Sequence, residues 1–310
     1  MYMLHKQEKT SVLKAFNHLN NAVRNYSKFY QSQVLAGSWS VELIDFLCGT
    51  LKDLAYLAEK AYKSNKEEVK EVTDSPIKIT KVTLEQVFNK SQIIKESFPN
   101  SRKLAAFYVI IHICQMYFQA NKFRICERFI HWVEKMQDGF ELLPEHVKVS
   151  YYYYEGLLCL FQHNYMRALK CLSYSVDNCK KEKSEFQSRV MRYLVPLNIL
   201  MGDFPEDKLL EAHKLHEYKE LSKACKAGNL QKFEQEIGKH EEIFLKCGIY
   251  LVLEKLKNVA FRNLIMRVYE ANEGKHILKL DFITEEFNKD REDSKGEEED
   301  EEFTVPAVEC

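Results

Sequence analysis

The stretch Phe118–Asn121 (Phe-Gln-Ala-Asn) separates two amphipathic segments, and Phe161–Asn164 (Phe-Gln-His-Asn) repeats it at an offset of 43 residues, where Phe, Gln and Asn coincide. Two later turns of small or polar residues, Met201–Asp203 and Ala227–Asn229, also lie between amphipathic segments. Because a helical hairpin cannot bury its apolar faces alone, such hairpins stack in series. The turns therefore predict an all-α fold, a helical-repeat solenoid similar to tetratricopeptide arrays.

The composition agrees with long helices joined by short loops. The 310 residues include only 10 Gly and 6 Pro, about half of the usual fraction. Because all-β folds need many more turns, they fit this chain poorly. Apolar residues make up 45% of the chain, which is enough for an extended core in one elongated array.

Apolar spacing of three and four residues predicts two helices within residues 1–63 and one long helix over residues 243–270. Residues 64–80 are polar and are expected to form a linker, after which Thr83 and Gln86 resemble a capping box that opens the next helix. The predicted stripes are Val12, Phe16, Leu19, Val23 and Tyr26; then Val41, Ile44, Leu47, Leu51, Leu54 and Leu57; and finally Ile249, Val252, Leu256, Val259, Leu264 and Val268.

The N-terminal segment and the cysteines indicate an intracellular protein. Met1–Thr10 is polar and mixed, so no secretory signal is expected. No apolar run reaches about 18 residues, so no transmembrane helix is expected. The nine cysteines include no Cys-x-x-Cys motif, and most have apolar neighbours. They are interpreted as reduced core thiols of a cytosolic or nuclear protein.

The charge is unevenly distributed, although the net charge is only −1. Residues 281–302 contain 12 acidic and 3 basic side chains, and Glu309 adds one more negative charge, so the first 280 residues carry a net charge of +9. A basic body with an acidic tail is compatible with nucleic acid or acidic protein partners. Ordinary solvated lysine-rich helices explain the same charge equally well. Residues 285–302 are expected to be disordered because they have little apolar surface to bury.

The sequence carries no catalytic motif: it has no phosphate-binding glycine loop, no His-Glu-x-x-His and no Gly-x-Ser-x-Gly. His213 and His216 could share a metal, but surface histidines are the favoured interpretation. Residues 240–242 are interpreted as a polar turn rather than an acid-base site. The four tyrosines of Tyr151–Tyr154 are interpreted as packing between hairpins rather than as a stacking platform for bases. No catalytic residue, cofactor or metal is predicted.

Clustered positive charge over residues 255–275 gives the candidate binding site. Phosphate contacts require only such a cluster, and a basic solvated helix face has the same appearance. The candidates for contact with nucleic acid or an acidic partner are Lys255, Lys257, Arg262, Arg267 and Lys275.

Several segments resemble known proteins. Met191–Leu197, followed by Leu200–Gly202, is similar to the Tyr-Leu-x-Pro…Leu-Leu-Gly segment of PCI-domain proteins. The later segments, in this order and spacing, resemble the PCI domain-containing protein 2 family, and the related COP9-signalosome-associated PCI protein shares them. These later segments are Gly228–Leu230, His240–Glu241, Cys247–Leu256, Phe261–Leu264 and Arg267–Tyr269.

The resemblance implies a non-catalytic subunit of the second transcription-and-export complex. Such a subunit pairs with a large scaffold protein of the germinal-centre-associated nuclear protein type and with a small acidic Sem-type protein. Together they form a platform for messenger ribonucleoprotein at nuclear pores, with RNA or DNA as further ligands. The implied location is the nucleus, with the cytoplasm as a second site.

The resemblance also implies a helical-repeat region that runs into a C-terminal winged helix. Ile277–Ile283 looks like the beginning of that winged helix, after which the acidic tail replaces the wings and the recognition helix. The expected domains are an N-terminal helical region over 1–99, a PCI-type helical-repeat domain with an incomplete winged helix over 100–284, and an acidic tail over 285–310.

Three other functions fit parts of the pattern. The chain could be a PCI subunit of another assembly, such as the COP9 signalosome or the proteasome lid; the segment 240–269 favours the export complex over these. A generic helical-repeat adaptor would bind peptides in a groove with paired Asn and Lys residues, of which only scattered ones occur. A direct nucleic-acid-binding module would show salt-dependent affinity for RNA.

Overall fold

The computed structural model describes residues 2–32, 40–64, 74–98, 101–180 and 184–272, together with residues 282 and 284. These residues form α-helices and short 3-10 helices but no strand, which confirms the predicted all-α fold. Two compact units make up the chain, Met1–Asn164 and Tyr165–Cys310.

The first unit contains α1 (Tyr2–Ser32), α2 (Ser40–Ser64), α3 (Pro76–Gln92), α4 (Ala105–Gln119), α5 (Glu127–Lys135), α6 (Gln137–Glu141) and α7 (Glu145–Phe161), with 3-10 helices at Arg102–Leu104 and Phe123–Cys126. The second contains α8 (Tyr165–Asp177), α9 (Ser184–Met201), α10 (Asp207–Ala212), α11 (Lys219–Ala227), α12 (Leu230–Lys239), α13 (Glu241–Cys247) and α14 (Tyr250–Ala271), with a 3-10 helix at His216–Tyr218.

The domain boundaries expected after residues 99 and 284 remain predictions. Helix α4 follows the first of them and packs against α2 and α3, which precede it. The acidic tail 285–310 and Lys275 lie outside the described residues, as do Gly37 and Ser38 and most of the segment 277–283.

The first two helices confirm the predicted apolar stripes, with one exception. Phe16 and Val23 of α1 and Ile44 and Leu51 of α2 are almost fully buried. The prediction that Leu57 belongs to the core is wrong, because 56% of its surface is exposed. Near this end of α2 the buried positions are Leu51, Ala55 and Ala58, a three- and four-residue series of small side chains that turns Leu57 outward.

Helix α3 begins earlier than the sequence predicts. Pro76 occupies the first turn, after Ser75, because a proline there has no N–H to leave unpaired. The capping box predicted at Thr83 is therefore wrong. Thr83 is buried in the helix interior, where its Oγ1 donates to Asn20 Oδ1 at 2.8 Å. The predicted linker is correspondingly shorter, and residues 65–73 lie outside the described ranges.

The turn after α4 shows how the hairpins are made. Asn121 has a left-handed backbone, with φ of +53°. The Lys122 N–H donates to the Tyr117 carbonyl at 2.9 Å, and the Asn121 N–H donates to the Phe118 carbonyl at 3.0 Å. This pair of bonds is the Schellman motif, which satisfies carbonyls that the helix end would otherwise leave unpaired. The same arrangement recurs around His163, Gly202, Lys214, Gly228 and Gly248.

The recurring motif corrects the repeat offset. His163 has φ of +62°, and the Asn164 N–H donates to the Cys159 carbonyl at 2.8 Å. His163 is therefore the structural equivalent of Asn121, which gives an offset of 42 residues. The identities of Phe, Gln and Asn occur at an offset of 43 residues, so they align positions that differ by one residue from the structurally equivalent ones.

The long helix predicted over residues 243–270 is wrong, because the segment forms two helices. Gly248 ends α13 with φ of +71°, and the Ile249 N–H returns to the Phe244 carbonyl at 3.2 Å. Helix α14 then begins at Tyr250. The apolar stripe itself is confirmed, since all six of its members from Ile249 to Val268 are buried.

The described cysteines and tyrosines agree with the predictions. Every cysteine in the described ranges is a free thiol, and most are buried. Tyr151 and Tyr153 are buried. The rings of Tyr151 and Tyr152 both contact Phe140, and Tyr154 contacts Phe118, at centroid distances of 4.9 to 5.5 Å. These tyrosines therefore serve packing. Among the described helices, none is both long enough and apolar enough to cross a membrane.

Arg102 joins the end of α1 to the segment that precedes α4. Its guanidinium donates to the Tyr30 carbonyl at 2.5 Å and to Glu96 Oε1 at 2.8 Å. In return, Tyr30 Oη donates to the Arg102 carbonyl at 2.7 Å. Arg102 is only 4% exposed, so its charge depends on Glu96 for compensation. Burial raises the pKa of Glu96, but the hydrogen bonds from Arg102 outweigh it and hold the pKa below its usual value.

This ion pair predicts a pH-dependent stability. We expect Glu96→Gln to lower the free energy of unfolding at pH 7 by about 1.5–3 kcal/mol, since a hydrogen bond to a charged group is lost. A carboxylate with a depressed pKa contributes fully above its unfolded value of about 4.3, and the contribution disappears as the pH falls through the folded pKa. Urea unfolding from pH 7 to pH 3 measures this difference. Glu141→Gln, which removes an exposed partner of Lys148, is the control; an equal loss in both variants at pH 7 would contradict the prediction.

Candidate partner interface around helix α14

Helix α14 is the element against which the second unit is assembled. It packs against α9, α11, α12 and α13. Its buried side follows the three- and four-residue spacing of an amphipathic helix. The buried residues are Val252, Leu253, Leu256, Val259, Ala260, Leu264 and Val268.

Gly228 allows the end of α11 to approach the backbone of α14. A Cβ at this position would lie 2.4 Å from the Leu264 nitrogen and 2.8 Å from the Leu264 Cα. The glycine also has φ of +74°, a conformation that disfavours other residues. Both the backbone angle and the lack of a side chain are therefore required here.

Side chains of α14 complete the end of α11. Asn263 Nδ2 donates to the Cys225 carbonyl at 2.9 Å, and Arg267 Nη1 donates to the Ala227 carbonyl at 3.2 Å. The last carbonyls of a helix have no partner within it. The Cys225 carbonyl also accepts the Gly228 N–H, so Asn263 adds a second donor there, whereas Arg267 supplies a donor to the Ala227 carbonyl. Burial raises the pKa of Cys225 to about 11, which keeps this thiol protonated near neutral pH. The segments around Gly228 and over 261–264 that carry the family resemblance thus lie in contact.

Pro196 lies inside α9 and removes the N–H that would bond the carbonyl four residues earlier. That carbonyl belongs to Arg192. Tyr218 Oη donates to it at 2.8 Å. Tyr218 is fully buried, and burial raises its pKa well above the usual value. A hydroxyl from a 3-10 helix therefore replaces the hydrogen bond that the proline removes.

The basic candidates occupy different environments. Lys257 pairs with Glu234, so part of its charge is compensated. Arg267 contacts the end of α11 and serves packing. Lys255 Nζ lies 4.9 Å from the centroid of the Tyr165 ring. Arg262 is exposed, and its guanidinium contacts the neighbouring Asn263 side chain.

Lys255 and Arg262 share one side of α14. They are seven residues apart, which corresponds to about two helical turns. Lys257 and Arg267 point in other directions, so the predicted cluster is not a single face. The fifth candidate, Lys275, lies outside the described residues.

Sequence reasoning missed the exposed apolar residues of α14. Leu251, Phe261 and Met266 are 60%, 47% and 49% exposed. Leu251 and Met266 fall on the same side of the helix as Lys255 and Arg262, whereas Phe261 lies on the side of Lys257. A surface that combines exposed apolar side chains with arginine is typical of protein–protein interfaces. The second periodic series on α14 is the signal from which this face could have been found.

His213 and His216 do not share one helix, because α10 ends at Ala212 and a 3-10 helix begins at His216. His213 Nδ1 lies 3.4 Å from Ser188 Oγ. Within the described residues, no group of three or more His, Cys, Asp or Glu side chains is arranged to hold a metal ion.

Comparison with known proteins gives three informative relatives. "Enhanced ethylene response protein 5" of Arabidopsis thaliana is 30% identical over 233 residues, which cover 75% of this chain and 54% of that protein. "PCI domain-containing protein 2 homolog" of Dictyostelium discoideum is 27% identical over 276 residues, 87% of this chain and 63% of that protein. "Protein CSN12 homolog" of Neurospora crassa is 29% identical over 194 residues, 61% and 43% respectively.

These similarities confirm the resemblance to the PCI domain-containing protein 2 family. The chain spans about half the length of the curated relatives that it matches. No family model matches it.

Gly228→Ala tests the contact between α11 and α14. A left-handed alanine costs about 1–2 kcal/mol, and the steric overlap with Leu264 adds about 1–3 kcal/mol as an overpacking term. Gly202→Ala is the matched control, because φ is +93° there and the nearest neighbour of a Cβ, Arg262 Nη2, lies 3.8 Å away. Denaturant unfolding should show the larger loss for Gly228→Ala. Equal losses would mean that α14 moves aside without cost.

A double-mutant cycle tests the bond between Tyr218 and α9. Tyr218→Phe leaves a buried carbonyl without its hydroxyl donor, so we expect a loss of about 1–3 kcal/mol in the free energy of unfolding. In a Pro196→Ala background the alanine N–H can donate to Arg192, and the loss should be smaller. Tyr56→Phe is the control, because its buried hydroxyl has no partner and its removal should cost little. Additive effects of the two substitutions would contradict this interpretation.

Proposed function

We propose that this relative of the PCI domain-containing protein 2 family is a non-catalytic scaffold subunit of a nuclear mRNA-export complex. Its proposed partners are a large scaffold protein and a small acidic Sem-type protein, with RNA or DNA as a further ligand. The nucleus is its proposed location, with the cytoplasm as a second one. No membrane contact and no enzymatic activity form part of the proposal.

The similarity over 87% of the chain to a protein named for its PCI domain is the observation that carries the proposal. The all-α fold and the contact between Gly228 and Leu264 support it, because they unite the segments in which the resemblance was recognised. A solenoid of helical hairpins presents long surfaces to partners, which suits assembly rather than catalysis.

The exposed side of α14 supports binding to an acidic protein. Lys255 and Arg262 provide positive charge, and Leu251 and Met266 provide apolar anchors beside it. Apolar anchors contribute affinity at interface centres, while the charges favour partners of opposite sign. A small acidic protein with interspersed apolar residues would match both properties.

The second candidate is a PCI subunit of another assembly, such as the COP9 signalosome or the proteasome lid. The similarity to the protein named CSN12 homolog supports this second candidate. Both candidates predict a scaffold, and they differ only in the partners recovered.

Affinity purification of the tagged chain from nuclear extract, followed by mass spectrometry, distinguishes these functions. The proposal expects recovery of the large export scaffold together with the small acidic protein. Recovery of signalosome or proteasome-lid subunits instead would favour the second candidate. Recovery of none of these subunits would contradict both.

Charge reversal tests the α14 surface directly. We expect Lys255→Glu combined with Arg262→Glu to reduce capture of the acidic partner at least tenfold, because like charges would then face each other. Lys170→Glu with Lys208→Glu, two exposed lysines of the same unit, makes the same change in net charge and should preserve capture. Circular dichroism checks that both variants remain folded. Capture that is unchanged in the α14 variant would remove this surface from the proposed function.

A further inference from the structure

Helix α1 carries positive charge without any carboxylate over most of its length. From Ser11 to Ser32 it contains Lys14, Arg24 and Lys28 but no Asp or Glu. In this chain as a whole, acidic and basic residues are almost equal in number, 46 and 45. Within the described ranges, no other single helix has as long a run without an acidic residue.

Six polar residues of α1 form one continuous row. They recur at alternating intervals of three and four, so they share one side of the helix. The row extends over 17 residues, or about 25 Å at the rise of an α-helix. Its members are Lys14, Asn17, Asn21, Arg24, Lys28 and Gln31, and every one of them is exposed or half-buried.

Helix α3 adds a fourth cation beside this row. Lys90 Nζ donates to Ser27 Oγ at 2.9 Å, and Arg24 Nε donates to Thr83 Oγ1 at 3.1 Å. Both acceptors are neutral hydroxyls, so these bonds orient the cations without neutralising them. Burial lowers the pKa of Lys90, and the nearby charges of Lys28 and Arg24 lower it further.

These four cations have no carboxylate partner in the described part of the chain. The ion pairs there involve other residues, including Lys78, Arg102 and Arg128 in the same unit. Like charges held together without compensation create a local positive potential. Helix α14 differs in this respect, since Lys257 pairs with Glu234.

We propose that this α1–α3 basic face, made of the α1 row and Lys90, binds the phosphate backbone of a nucleic acid. Lysine, arginine and the amides of Asn and Gln are the side chains that contact phosphate oxygens. A straight row of about 25 Å accommodates several successive phosphates of one strand, whereas a single phosphate group would need only a compact pocket.

The composition of the face favours nucleic acid over an acidic protein. Protein interfaces centre on apolar and aromatic anchors, and no member of the α1–α3 basic face is apolar. The inference deepens the proposed function, because it gives the scaffold a nucleic-acid contact on the first unit. It does not depend on the α14 surface or on any protein partner.

The test measures binding of the full chain to a fluorescein-labelled 20-nucleotide oligouridylate by anisotropy between 50 and 200 mM salt. Lys28→Gln with Lys90→Gln removes two contacts. Counterion release from single strands then predicts that the salt slope falls by about 1.4, and that affinity at 0.1 M salt falls about 10- to 30-fold. Arg24 is left unchanged because it also contacts buried Thr83.

The control is Lys60→Gln with Lys135→Gln, two exposed lysines of the same unit, which makes the same change in net charge. It should alter affinity less than about threefold, because charges outside the face release few counterions. Equal losses of affinity in both variants would show that binding depends only on net charge, which would overturn the proposal. No measurable binding by the unaltered chain would also overturn it.

Competition identifies the class of ligand. Unlabelled oligouridylate should displace the probe, and polyglutamate at equal charge concentration should not. Displacement by polyglutamate at the same concentration would assign the face to acidic peptides instead and overturn the proposal. Recovery of protein partners by affinity purification is independent of this result, so the failure of one proposal is distinguishable from the failure of the other.

Discussion

The need to satisfy the carbonyls at every helix end shapes this chain more than any other constraint. A helical hairpin requires its first helix to stop within one residue, and the stop leaves carbonyls without partners. Six times in the described ranges, a residue with positive φ lets the following N–H groups turn back to these carbonyls. Three of those residues are glycines, and three, Asn121, His163 and Lys214, are not. The direction in which each following helix begins therefore depends on the backbone geometry of one residue.

Where the backbone cannot satisfy itself, distant side chains supply the missing partner. Tyr218 provides a hydroxyl for the carbonyl freed by Pro196, and Arg267 provides a guanidinium for the Ala227 carbonyl at the end of α11. Arg102 provides a guanidinium for the last residues of α1. Each of these bonds joins elements that are far apart in sequence, so each fixes the relative position of two helices. Buried polar groups are costly when left unpaired. These bonds therefore favour the one packing arrangement of the helices in which all of them can form.

The sequence predicts those features of the fold that are periodic. The stripes through Phe16 and Val23 and through Val252 and Leu256 repeat with the period of the helix, and the buried residues follow them. The break at Gly248 was missed because the apolar period continues across it, while the turn depends on a single φ angle. The early start of α3 was missed because the spacing of Thr83 and Gln86 imitates a capping box, although Thr83 is buried inside the helix and bonds to Asn20. The compensation of Lys257 by Glu234 could not be predicted at all, since it depends on how α12 and α14 approach each other.

The division of the chain at Asn164 has a consequence for biosynthesis. Most helices of each unit pack against neighbours that are close in sequence, such as α1 with α2 and α8 with α9. Chains with such local contacts fold rapidly, and domains form in order as the ribosome releases them, N-terminal first. The first unit is thus able to bury its core while the second is still being translated.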